Sequence, residues 1–184
     1  MTAFIALLRA VNLVGTGKLP MAELKAMCEA AGFKSVRTYI ASGNVVFKSS
    51  KSEAKVKALL EAAATAYVGK PGGVMVRTAA EMAAVLARNP FPERPRNGVL
   101  AIFLDSPPPA DALGSVSGKV NELLGLGVRE IYVYYADGVG ESKLKIPAAK
   151  NGTGRNINTV AKLAEMAAGS MGIRPEKARA QKAT

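Results

Sequence analysis

Short apolar runs and amphipathic stretches alternate over the first 77 residues in a pattern that predicts six elements. Ala3 to Leu8 is an unbroken apolar run of strand length, suited to a buried strand. A loop then leads to Pro20, a residue suited to the first position of a helix. Met21, Leu24, Met27, Cys28 and Ala31 recur at helical spacing until Gly32 stops the run. Val36, Thr38 and Ile40 alternate with Arg37 and Tyr39, Ser42-Gly43 gives a tight turn, and Asn44 to Phe47 resumes as strand. Ser50 and Glu53 have capping-box spacing ahead of Val56, Leu59, Leu60, Ala63 and Tyr67. This second helix ends before Gly72-Gly73 and a strand from Val74 to Arg77. The order βαββαβ is that of a ferredoxin-like unit.

Thr78 and Glu81 open a short helix through Met82, Val85 and Leu86 that Asn89-Pro90 ends, so 78–97 reads as a link between halves. From 98 to 168 the pattern predicts βαββα. It has a strand Gly98 to Leu104, a helix Ala110 to Leu124 weakened by Gly114 and Gly118, and a hairpin of Arg129–Tyr135 with Val139–Ile146 about Asp137-Gly138. A closing helix runs from Asn156 to Ala168. At an offset of 95, Phe4–Leu8 falls on Val99–Phe103 and Tyr39–Gly43 on Tyr134–Gly138, which suggests a structural repeat. The expected fold is α+β, one compact unit of two packed split βαβ halves with antiparallel sheets, the first (1–77) ferredoxin-like. The tail 169–184 is basic, nearly devoid of apolar residues and expected to be mobile.

The 184 residues suffice for one sizeable core. Histidine is absent, which excludes a Ser-His-Asp triad, a Cys-His dyad and a His-ligated zinc. A single cysteine allows no intramolecular disulfide, and no run approaches the ~18 apolar residues of a membrane span, so a cytoplasmic protein without a membrane partner is expected. Charge changes the picture more. The net +11 is uneven: residues 1–77 carry eleven basic and four acidic side chains, 78–168 ten and nine, and the tail four and one. A basic front half and tail attract polyanions, nucleic acid included.

Two turns carry candidate chemistry. The loop from Arg9 to Lys18 lies between strand and helix, where phosphate-binding loops sit, but Asn12 and Leu19 stand where a Walker A loop needs Gly and Ser or Thr. What remains is Arg9 and Asn12 at the end of a buried strand. The second turn, Lys150 to Thr159, is glycine-flanked and runs into a helix, an arrangement that offers N–H groups to an anion. There Arg155 is placed to clamp an oxyanion, with Asn156, Asn158 and Lys162 beside it, and Lys143 and Lys145 on the preceding strand extending a basic wall. The alternative is an Asn156 or Thr153 cap with the charges in water. Because a guanidinium opposes the macrodipole at a helix start, an anion-binding Arg155 could be removed without loss of stability. No metal or cofactor is implied, the carboxylates are scattered, and Cys28 lies on an apolar stripe as an inert thiol. Two functions follow: a binding module for a phosphate-bearing ligand or nucleic acid, or a small metal-independent enzyme acting on an anionic substrate through Arg9, Asn12, Arg155, Asn156 and Asn158.

Four segments carry a resemblance: Phe4 to Gly15, Leu19 to Leu24, Val36 to Phe47 and Gly154 to Leu163. Together they resemble the signature segments of a bacterial family, the domain of unknown function 1697, in order over residues 3–168. Tyr39 to Phe47 is the most specific part. Ala10, Val11 and Ile157 depart from the glycine, isoleucine and tryptophan usual in that family. The resemblance implies a two-part α+β body with a ferredoxin-like first half and brings no activity with it.

Overall fold

The protein, seen in a computed structural model, is described over residues 1–9 and 19–170. β1 (Thr2–Leu8), α1 (Met21–Ala30), β2 (Lys34–Tyr39), β3 (Asn44–Ser49), α2 (Glu53–Val68) and β4 (Val74–Thr78) follow the expected order. The four strands form an antiparallel sheet in the order β2-β3-β1-β4. β1 reads as continuously apolar because both its faces are covered. Phe4, Ala6 and Leu8 pack with Leu24, Cys28, Val56 and Leu60 of α1 and α2, while Ala3, Ile5 and Leu7 face the opposite layer. The cap of α2 is Ser52 rather than Ser50: the Ser52 hydroxyl accepts the Lys55 N–H at 3.3 Å. Glu53, the expected partner of a capping box, is instead paired with Arg129 at 2.7 Å.

α3 (Ala79–Ala87) has the predicted Thr78–Glu81 capping box. It leads to a second antiparallel sheet of β5 (Val99–Phe103), β6 (Leu123–Leu126), β7 (Glu130–Tyr134) and β8 (Thr153–Asn156), followed by α4 (Ile157–Ser170). Its order, β6-β7-β5-β8, repeats that of the first sheet. α3 and α4 pack against each other between the two sheets. Met82, Val85, Ile157, Val160 and Leu163 share one core with Ile5, Leu7 and Val46 on one side and Val99, Ala101, Phe103 and Tyr132 on the other. Each half is thus four strands and a final helix in the same order, and the two final helices meet in the middle. α3 stands in the first half where α4 stands in the second.

The second half corrects two expectations. No helix spans Ala110 to Leu124; one 3-10 turn, Ala112–Ser115, is followed by coil and then β6. Gly118 has φ +69°, a left-handed conformation that no right-handed helix contains, and it lies so close to the Lys143 carbonyl that a β-carbon would not fit. Nor is Asp137-Gly138 the hairpin turn. β7 already lies between β6 and β5, leaving no free side for Val139–Ile146, and the hairpin closes one strand earlier, with the Gly127 N–H on the Glu130 carbonyl at 2.8 Å. Leu144 and Ile146 cover the outer face of the second sheet as coil, where the first sheet has helices. The repeat is real in topology but not in the residue pairing expected. Ile5 lies opposite Val46 and Arg77, and Ala101 opposite Tyr132 and Arg155, which equates Ile5 with Ala101 rather than with Leu100. A one-residue slip of this kind exchanges the two faces of a strand.

Candidate functional site

Arg155 lies on β8, not at the start of a helix, and points between the sheets because its pairing partner Ala101 faces the central core. It is 8% exposed. All five of its N–H groups are used. Nε donates to Asn44 Oδ1 at 2.6 Å, Nη1 to Thr153 Oγ1 and the Gly154 carbonyl, and Nη2 to the carbonyls of Leu8 and Ser42 at 3.0 and 2.8 Å. Asn44, wholly buried, in turn donates Nδ2 to the Tyr39 carbonyl at 3.1 Å. The turn that presents these acceptors holds Ile40 at φ +47° and Gly43 at φ +75°. None of the five acceptors is a carboxylate, and burial alone lowers the Arg155 pKa to about 10. The guanidinium therefore has no donor left for a ligand. Three of the four segments that carry the family resemblance meet on this one side chain. Arg77 on β4, 2% exposed, makes the reciprocal connection: Nη2 donates to the carbonyls of Leu104 and Arg129 at 2.6 and 2.8 Å. A third tie runs from Arg129 to Glu53 and Glu81 at 2.7 and 2.6 Å, which raises the Arg129 pKa and, with the Thr78 N–H, lowers that of Glu81.

The other expected residues do not converge on Arg155. Arg9 is nearest, donating Nη2 to the Lys150 carbonyl at 3.0 Å while its backbone N–H binds the Gly73 carbonyl. Asn156 caps α4 by accepting the Asn158 N–H at 2.9 Å and donates Nδ2 to the Asn97 carbonyl, which is the cap alternative. Lys162 pairs with Glu165 at 3.0 Å. Lys143 and Lys145 alternate outward from Leu144 and Ile146, on the far side of the second sheet from Arg155. Asn12 and the tail beyond residue 170 lie outside the described residues. Cys28 is fully buried, and burial pushes its thiol up to about 12. No helix among the described residues is long and apolar enough to cross a membrane.

A cationic cluster that the sequence pattern did not single out lies at the edge of the first sheet. Lys34 of β2 pairs directly with Lys48 of β3, so the two side chains share one face. Lys51 follows Ser49 at the end of β3, its Nζ 3.9 Å from where a β-carbon on Gly32 would lie, and Lys55 stands in the first turn of α2. Among the described residues none of these four has a carboxylate within 4.0 Å, because Glu29, Glu53 and Glu61 are committed to Lys25, Arg129 and Lys57. The charge excess of residues 1–77 includes these lysines, and the register of β2 on β3 brings Lys34 and Lys48 together.

The molecule is an α+β protein in which two sheets of ferredoxin-like strand order enclose a shared pair of helices. The chain belongs to the family described as a protein of unknown function (DUF1697), which it matches over residues 1–132. Its structure is similar to that of the conserved bacterial protein SP0830 from Streptococcus pneumoniae, with a TM-score of 0.75 and 25% identity, over 90% of this chain and 98% of that one. No curated protein matches the sequence.

Proposed function

We propose that the protein binds phosphate-bearing polyanions, with nucleic acid the expected class, through the lysine cluster Lys34, Lys48, Lys51 and Lys55. The observation that carries this reading is the direct Lys34–Lys48 pairing without a neutralising carboxylate, since like charges opposite each other on a sheet are destabilising unless an anion offsets them. Contact would be to phosphates rather than to bases. The sheet face that a four-stranded βαββαβ unit can offer to unstacked bases is covered here by α3 and α4. Weak sequence preference and steep salt dependence follow.

The test is titration of fluorescent single- and double-stranded oligonucleotides over a range of salt concentrations. In the Lys34→Ala/Lys48→Ala variant the salt slope should fall by about two, roughly one for each phosphate contact removed, with stability unchanged or slightly higher. Absence of binding in dilute buffer, or an unchanged slope, overturns the proposal. A double variant that binds as before but aggregates would instead make these lysines guards of an exposed strand edge.

A further inference from the structure

We infer that the open pocket beside Arg77 is a binding site for a small carboxylate. The two reciprocal arginines differ in how fully their donors are matched. Arg155 has five acceptors for five N–H groups. Arg77 has three: Nη1 donates to the Val76 carbonyl and Nη2 to the carbonyls of Leu104 and Arg129, while Nε has no acceptor among the described residues. Two residue differences between the halves account for the shortfall. Met75, two residues before Arg77, replaces the hydroxyl of Thr153. Glu130, the first residue of β7, replaces Asn44, the first of β3, and its carboxylate turns to the backbone N–H groups of Val128 and Arg129 at 3.0 and 3.1 Å instead.

Although almost wholly buried, Arg77 forms part of the wall of a pocket of about 250 Å³ between α3 and the β6–β7 turn. The acidic groups there are already matched. Glu81 is held by Thr78 and Arg129, and Glu130 by two backbone N–H groups and the Tyr132 phenol. Arg88, exposed at the end of α3, has no carboxylate within 4.0 Å among the described residues. The unmatched polar groups of the wall are thus both cationic. Glu53, which Arg129 also holds, brings the glutamates to three against three arginines, so the anion is drawn by the free donors of Arg77 and Arg88 rather than by a net charge. Ala80, Ala84 and Val128 supply an apolar flank for a short aliphatic body.

The experiment follows the arginine Nε–H signals of the full chain by NMR while sodium acetate, sodium butyrate or inorganic phosphate is titrated against sodium chloride at constant ionic strength. Acetate and butyrate should move the Arg77 and Arg88 signals saturably and leave that of Arg155 still, and Arg88→Ala should weaken binding by about tenfold or more. The Lys34→Ala/Lys48→Ala variant should respond like the native protein, which keeps this site separate from the polyanion surface. Absence of a saturable change, equal binding by Arg88→Ala, or a response to phosphate alone overturns the inference.

Discussion

Replacing Arg155 with alanine tests whether this side chain holds the two sheets together. The substitution strips five buried acceptors of their donor: the carbonyls of Leu8, Ser42 and Gly154, Asn44 Oδ1 and Thr153 Oγ1. At about 1.5 kcal/mol for each bond to a charged donor the loss is about 7.5 kcal/mol. Part is returned, because the guanidinium is buried without a counter-ion and its pKa falls from 12.5 to about 10, worth about 3 kcal/mol. The net destabilisation is about 4 kcal/mol. For a chain of this length that lowers Tm by about 8–16 °C. The assay is thermal and urea denaturation of both proteins in buffer free of phosphate and sulfate, so that no anion can substitute for the missing contacts. A lysine at 155 should recover little, since one ammonium with three N–H groups cannot reach five separated acceptors. An alanine variant as stable as the native chain would refute the reasoning and return Arg155 to the role of an anion clamp.

Two further outcomes follow from burial and hydrogen bonding. The Ser142 hydroxyl, then the Val120 N–H, hold the Glu122 carboxyl at about 2, below its ordinary 4.5. Its folded pKa lies below the unfolded one, so its stabilising effect is complete above about pH 4.5 and is lost as pH falls toward 2. Glu122→Gln should flatten stability against pH in that window, and equal acid slopes for the two proteins would show the carboxylate to be unperturbed. Cys28 should resist a thiol reagent at pH 8 in the native protein and react promptly in denaturant, since burial disfavours its thiolate. Rapid labelling of the native chain would contradict its place in the core.

Sequence reading recovered the first sheet element by element because its strands and helices each bury a face with its own periodicity. It failed where that link is broken. The outer face of the second sheet is covered by coil, so Leu144 and Ile146 are apolar without forming a strand, and Leu123 and Leu124, which read as the end of a helix, lie on an edge strand. Arg155 stands out in the sequence as a charge beside glycines, but its partners lie up to 147 residues away. No local pattern distinguishes a guanidinium aimed at a ligand from one aimed at carbonyls of another sheet. Arg77, 2% exposed at the end of an apolar strand, carries the same signal of a charge where burial is expected. The Lys34–Lys48 pairing depends on an irregularity in β2 between Lys34 and Arg37, and that shift is invisible before the strands are paired.

The middle layer joins the inward faces of both sheets in one core. Neither sheet has an interior of its own on its inward face: Ile5, Leu7 and Val46 are covered only by helices that also cover Val99, Ala101 and Phe103. Polypeptide that ends before β5 would leave the first sheet with an exposed apolar surface and Arg77 without the carbonyls of Leu104 and Arg129. In a cell such a product would be a substrate for chaperones and proteases rather than a half-working protein, and a nonsense change anywhere between β5 and α4 would act as a null allele.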